Sequence, residues 1–288
     1  MTSPGVLGVI GGSGLYQIEG LTAVEEIHVQ TPFGSPSDAV IRGQLGDTTL
    51  LFLPRHGRGH RIAPHRIDFR ANICALKKLG TTHLLSISAV GSMVEKIEPG
   101  QFVVVDQFID VTKKRESTFF DDGIVGHVGF ADPVCGEMSR ALASAAERAG
   151  ACVHRGGTYV CVDGPQFSTR AESLLYRSWG VSVIGMTAMP EAKLAREAEL
   201  PYALLALATD YDCWHESEQS VTVQAVLAVI DKNVALARRT IVELAKDLPD
   251  PALSAATGAL KSALMTARDQ LPPEVLARVD WLIGKYVR

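Results

Sequence analysis

Residues 5–14 read GVLGVIGGSG: a run apolar on both faces, followed at once by a glycine-rich turn containing one serine. A strand with one wet face alternates polar and apolar residues, whereas a strand covered by helices on both sides does not. The run from Gly5 to Ile10 is of the second kind. Working outward, short apolar runs recur at residues 49–53, 83–88, 102–106, 157–162, 181–185 and 202–209. Helix signals fall between them. Asp132-Pro133 reads as an N-cap followed by proline at the first helical position, with Gly150 as the stop. Thr169 and Glu172 have capping-box spacing, and Gly180 follows as a stop. Over residues 220–248 the apolar positions Val223, Val226, Leu227, Ile230, Val234, Ile241, Leu244 and Leu248 step by three or four, predicting one long amphipathic helix. The tail from residue 251 carries two more helical stretches divided at Pro272-Pro273. Alternating strands and helices without a linker predict one α/β domain over residues 1–250, with 251–288 as a helical extension of the same domain.

The composition narrows the function classes. The chain has 288 residues, a formal net charge of −4, 47% hydrophobic and 21% charged residues. These are values of an ordinary globular protein, and they argue against disorder and against a dedicated nucleic-acid binder. No apolar run reaches the ~18 residues of a membrane helix, and the first residues lack the basic start and apolar segment of a signal peptide, so a cytoplasmic protein without a membrane partner is expected. The five cysteines, Cys74, Cys135, Cys152, Cys161 and Cys213, form no Cys-x-x-Cys pair and support neither a disulfide framework nor a zinc site.

Four features can carry chemistry. Gly11-Gly12-Ser13-Gly14 lets backbone N–H groups approach an anion, and Ser13 adds a hydroxyl, although a plain tight turn has the same residues. Arg55-His56-Gly57-Arg58-Gly59-His60-Arg61, with His65 and Arg66 beyond, concentrates positive charge in an acidic chain. Arginines repel a metal cation and match the oxygens of a phosphate, so the loop reads as an oxyanion site, against a solvated basic loop as the alternative. Ser88-Ala89, Met186-Thr187 and Asp210 end separate apolar runs, and in open α/β sheets ligands gather at the carboxyl ends of strands. Finally, Asp210 and Asp212 stand two apart after an apolar run; in an extended chain they face the same way and can act as acid and base, hold a metal, or accept from a base edge, whereas a solvated acidic turn has the same residues.

IGGSGLY, TPFGSPSD, PRHGRGH, RANICALKKLG, SAVGS, DQFIDVT, DGPQFSTRAE, GMTAMPE and ATDYDCW occur in this order. With them the chain resembles the trimeric purine nucleoside phosphorylases, and ATDYDCW resembles their 5′-methylthioadenosine phosphorylase branch. The resemblance implies a central mixed β-sheet flanked by helices, with C-terminal helices. It also implies a homotrimer and a reaction in which inorganic phosphate, as co-substrate, releases a purine without metal or cofactor. Carried over residue by residue, phosphate contacts fall on Ser13, Arg55, His56, Ser88, Ala89 and Thr187. The ribose contact falls on Met186, the base-stacking ring on Phe167, and the purine-edge acids on Asp210 and Asp212, the catalytic pair. The 5′ substituent falls on His127, Val223, Val226 and Leu227. Serine at 13 and 88 replaces the family's threonine and keeps the hydroxyl, while Asp68, Asp163 and Gln166 depart from its asparagine, glutamate and arginine.

The resemblance implies catalysis by positioning and electrostatics, with phosphate attacking the anomeric carbon while Asp210 donates a proton to the departing purine at N7. A carboxylate pair accepts from a 6-amino group, which points to methylthioadenosine over the alternatives, a 6-oxopurine nucleoside or 5′-methylthioinosine. Outside this class stand a nucleotide-binding oxidoreductase, weakened by the absence of G-x-G-x-x-G, and a silent purine-binding regulator.

Overall fold

A computed structural model describes residues 5–12, 14–215 and 223–287, the side chains of 223–228 excepted. Its strands are β1 (Val6–Gly11), β2 (Thr22–Ile27), β3 (Val40–Leu45), β4 (Thr48–Pro54), β5 (His83–Ser92), β6 (Phe102–Val104), β7 (Gln107–Asp110), β8 (Val153–Arg155), β9 (Thr158–Cys161), β10 (Val183–Gly185) and β11 (Tyr202–Asp210). The α-helices are α1 (Phe69–Lys78), α2 (Gly136–Arg148), α3 (Arg170–Ser178), α4 (Glu191–Glu197), α5 (Val223–Ala245) and α6 (Pro273–Val287). The strands form one mixed sheet ordered β2-β3-β4-β1-β5-β10-β9-β7, with β11 beside β5, and β6 and β8 beyond it. The structure is a single α/β domain with a central mixed sheet.

Side chains alternate between two cores, as a doubly covered sheet demands. Leu7, Val9, Leu50, Phe52, Leu85, Leu205 and Leu207 pack with α2 and α5 residues Met138, Leu142, Ile241 and Leu244. Their sequence neighbours Ile10, Leu51, Leu53, Leu84, Leu204 and Ala206 pack on the opposite face with Ile73 and Leu76 of α1, Leu194 of α4 and Val279 and Ile283 of α6. The last helix is therefore part of the main core.

Strand β5 positions the site. Its first half pairs in parallel with β1, ending at Ile10↔Ser86. Its far end pairs antiparallel with β10 at Ile184↔Gly91 and Val183↔Ser92. Between Ser86 and Gly91 no strand among the described residues pairs with this edge of β5, and the gap so left between β1 and β10 is the cleft. β1 and β4 end level with each other at Gly11↔Pro54, so Gly12 and Arg55 leave the sheet side by side at the mouth of that cleft.

All seven apolar runs read from the sequence are strands, to within a few residues at the ends. The capping box at Thr169 and Glu172 starts α3, and Gly150 and Gly180 close α2 and α3 with φ of +93° and +76°, a conformation cheap only for glycine. Two expectations fail. Asp132-Pro133 does not start α2, which begins three residues later behind Cys135 as N-cap. The first tail stretch is not an α-helix: 3-10 turns at Pro251–Leu253 and Arg268–Gln270 flank a segment of turns, and only α6 follows. Strands β2, β3, β7 and β8 were not read. β2 is exposed throughout most of its length, and its Thr22-Ala23-Val24-Glu25-Glu26-Ile27 carries no buried face to betray it.

Candidate active site

Arg55 follows β4 and turns back under the cleft, where it is 2% exposed. Its Nε donates to Glu191 Oε2 at 2.9 Å and its Nη2 lies 3.2 Å from Oε1, a bidentate ion pair with the first residue of α4. Nη2 also reaches Ser86 Oγ at 2.7 Å and Ile10 O at 3.2 Å, and Nη1 donates to Ile87 O at 3.0 Å, a carbonyl on the uncovered edge of β5. Tyr202 Oη closes the network on Glu191 Oε1. Although burial opposes a charge here, the Glu191 carboxylate outweighs it and holds the guanidinium firmly protonated. One N–H of Nη1 is left over for a ligand; the rest of the guanidinium braces β1, β5 and α4 together.

The rest of the basic loop turns away, which corrects the reading of a concentrated oxyanion site. Arg58 donates to Glu26 through Nη1 and Nη2 at 2.6 and 2.9 Å, and to Asp38 through Nε and Nη2 at 3.1 and 3.0 Å. Arg61 spends its Nε on Arg58 O, and His60, Arg61, His65 and Arg66 are exposed. Only Arg55 and His56 face inward. His56 Nδ1 lies 2.8 Å from Ile62 O, an acceptor, so Nδ1 carries the proton and Nε2 is bare. Burial pushes this imidazole down to about 4, and its ring stacks on His60 at 4.1 Å.

Ser88 and Thr187 meet across the cleft, with hydroxyl oxygens 3.2 Å apart and both residues buried. Ala89 is exposed at the opening. Met186, half-buried, precedes Thr187, and its carbonyl accepts from Arg115 Nη1 at 2.9 Å. Arg115 also bonds Asp163 Oδ1 and the carbonyl of Asp163, so the aspartate at this departure from the family pattern anchors the loop after β9.

Asp210 ends β11 level with Gly91 of β5. Its Oδ2 accepts from Thr209 Oγ1 at 2.7 Å and its Oδ1 from Asp212 N at 2.8 Å. A Cβ on Gly91 would stand 3.1 Å from Asp210 Oδ1 and 3.0 Å from Ile184 Cγ2, so glycine there keeps the acid end of the cleft open. The expectation that Asp210 and Asp212 face the same way fails because the extended chain stops at Asp210. Asp212 has φ of +52° and opens a 3-10 turn. Its carboxylate turns to α3 and accepts from Ser173 Oγ at 2.5 Å, with burial holding it above the usual carboxylate range.

The turn and α3 form one unit: Arg170 donates to Cys213 O at 2.7 Å, and Arg177 stacks 3.7 Å above the Trp214 ring. Phe167, just before α3, is 52% exposed. His127 is exposed on a loop whose backbone pairs with the tail, His127 N donating to Ala263 O at 2.8 Å; no hydrogen bond or ring contact among the described residues joins its side chain to Met186, Phe167 or Asp210. Ser13 and the side chains of Val223, Val226 and Leu227 lie outside the described residues.

The sequence reading missed Ser86, Glu191, Tyr202, Tyr159 and Ser173. Glu191 had a signal, an acid closing the small-residue run Gly185-Met186-Thr187-Ala188-Met189-Pro190; the others sit inside strands or a helix and look like filler. Among the described residues no cluster of three His, Cys, Asp or Glu is gathered as for a metal, and no helix is long and apolar enough to cross a membrane.

Known proteins share this arrangement. Residues 6–246 match the family model described as the phosphorylase superfamily. The S-methyl-5′-thioadenosine phosphorylase of Geobacter sulfurreducens is 56% identical, the match covering 98% of this chain and 99% of the relative. That of Thermosynechococcus vestitus is 53% identical over the same shares. A methylthioadenosine phosphorylase from an Antarctic soil metagenomic library superposes with a TM-score of 0.91 at 46% identity, covering 97% of this chain and 99% of that one. The Schistosoma mansoni methylthioadenosine phosphorylase, solved in complex with adenine, superposes at 0.84 with 37% identity, covering 91% and all of the other chain. With a family model spanning most of its length and relatives matched nearly end to end, this chain belongs to the phosphorylase superfamily.

Proposed function

We propose that the chain is a pentosyltransferase that cleaves 5′-methylthioadenosine with inorganic phosphate, giving adenine and 5-methylthioribose 1-phosphate. The observation that carries this reading is the separation of two chemistries along one strand. Hydroxyl donors stand at Ser88 and Thr187, and carboxyl acceptors stand at Asp210 beside Gly91. Three residues of β5, at about 3.3 Å each, put roughly 10 Å between those levels, which fits the span from a phosphate below the sugar to the far edge of a purine.

Phosphate sits on Ser88, Thr187, the backbone of Ala89, the spare N–H of Arg55, and Ser13. His56, neutral with a bare Nε2, accepts a hydrogen bond from a phosphate O–H rather than adding charge. Phosphate oxygen then bonds to C1′ as the glycosidic bond breaks, and the bonding pair leaves with the purine. The dianion below stabilises the cationic ribosyl group and Met186 holds the ribose. Phe167 covers the base and, with it, shields the acid turn from water. That loss of solvent favours the neutral form of a carboxyl, and Asp210 passes its proton to N7. The acids accept from a 6-amino group; a 6-oxo base would meet oxygen with oxygen. His127 with Val223, Val226 and Leu227 receives the methylthio group.

Assembly as a homotrimer is part of the proposal. Leu174 and Leu175 on α3 and Trp179 at its C-cap are 50%, 51% and 44% exposed, apolar surface that a second chain would cover. Incubation with methylthioadenosine, with and without phosphate, tests the function. Adenine should appear only with phosphate, together with one equivalent of a sugar phosphate. Release that ignores phosphate would make the protein a hydrolase and overturn the reading, as would a preference for methylthioinosine.

A further inference from the structure

Tyr159 of β9 has no solvent exposure, yet it ends at the anion site. Its hydroxyl lies 3.2 Å from Ser88 Oγ and 3.4 Å from Thr187 N. Among the described residues every hydrogen bond of that hydroxyl goes to Ser88 or Thr187, both placed above as phosphate ligands. A Cβ on Gly185 would stand 2.0 Å from the Tyr159 oxygen, so Gly185 supplies the slot and Tyr159 fills it.

Counting hydrogens gives the arrangement a direction. Thr187 N–H donates to the tyrosine oxygen. The tyrosine then has one hydrogen to give, and Ser88 Oγ is its acceptor. Ser88, with that lone pair occupied, keeps its own hydrogen for Ala89 O at 3.3 Å, for Thr187 Oγ1, or for an anion in the cleft. An anion is the strongest of these acceptors, and a donor whose oxygen already accepts a hydrogen bond is itself strengthened. We propose that Tyr159 is a positioning residue for the phosphate end of the site, donating to Ser88 Oγ so that the serine hydrogen points at the co-substrate. This rests on the phosphate site proposed above. Burial keeps the phenol protonated, pushed up to about 12, so the arrangement persists across the working pH range.

The test is a cycle of Tyr159→Phe, Ser88→Ala and the double variant, read as KM for phosphate, KM for methylthioadenosine, kcat and melting temperature. Tyr159→Phe removes one oxygen and keeps the ring in its slot. It should raise KM for phosphate about fivefold, the ratio equivalent to a hydrogen bond of roughly 1 kcal/mol, and leave KM for the nucleoside within about twofold. In the Ser88→Ala background the same change should add less than twofold, because the residue through which it acts is gone. A Tyr159→Phe effect that multiplies in full onto Ser88→Ala, or that falls equally on both KM values, would overturn the positioning role. An unchanged phosphate KM in Tyr159→Phe while Ser88→Ala raises it would overturn this inference alone; an unchanged phosphate KM in Ser88→Ala as well would overturn the phosphate site with it.

Discussion

The two ends of the cleft are built on opposite principles. At the anion end Arg55, Ser88 and Thr187 are buried and bonded before a ligand arrives: Arg55 to Glu191 and to strands β1 and β5, Ser88 to Thr187 and Tyr159. At the purine end Phe167 stands half in solvent, α3 shows an apolar face, and the acids hang on a turn held by Ser173 and Arg170. A small, strongly hydrated anion repays a preorganised set of donors, since nothing in the site must reorganise when it binds. A larger apolar base contributes its own surface as cover, so that end can wait for it. Substitutions at the anion end should therefore cost stability and those at the purine end should cost turnover.

The largest effect sharpens that contrast most. Arg55→Ala leaves Glu191, 1% exposed, without its partner, and breaking a buried pair costs about 3–5 kcal/mol. Denaturant midpoints should show that loss, and Arg58→Ala, three residues on in the same loop but on an exposed face, should barely move them. A stable Arg55→Ala enzyme with only a raised phosphate KM would break the comparison.

Next comes Asp210→Ala, expected to lower kcat by about a hundredfold with little change in melting temperature, because the bond to N7 strengthens only as charge reaches the leaving base. Asp210→Asn should shift relative kcat/KM toward methylthioinosine, whose oxygen accepts from an amide. Unfolding of either variant would place the acid turn in the scaffold.

The third effect depends on pH. The folded His56 pKa, about 4, lies below its ordinary 6.5, so between those values the unfolded chain binds more protons. Stability should therefore be complete above about pH 6.5 and fall as pH drops toward 4. His56→Asn, which keeps a donor for Ile62 O without titrating, should flatten that slope in urea melts recorded across the window. The smallest is Phe167→Ala, worth about 1 kcal/mol of stacking, seen as a several-fold rise in the nucleoside KM and none in the phosphate KM.

Local physics made much of this molecule legible. An apolar run eight residues long or less has few ways to be buried on both faces except as a strand in a covered sheet, and Thr169 with Glu172 satisfies orphan amides within four residues of chain. The ends of the apolar runs likewise pointed to Thr187, just after β10, and Asp210, the last residue of β11, whereas Ser88 lies inside β5, which runs on to Ser92. β2 escaped because its residues are exposed, and α2 began late because Cys135 N donates to Tyr202 O, a bond across the fold that no local cap signals.

What the sequence determined by itself was the set of elements and the chemistry available at their ends, since both rest on neighbours a few residues apart. Which arginine of the loop faces the cleft was decided only by tertiary structure. Arg55 and Arg58 are the same residue type three positions apart, and their fates are set by Glu191, 136 residues away from the one, and by Glu26 and Asp38 beside the other. The same holds for Asp212, whose direction comes from Ser173, and for Tyr159, whose slot exists because Gly185 lies beside it in β10. A charge or hydroxyl takes its role from the partner that desolvates it, and in a mixed sheet that partner arrives from a strand far off in the chain.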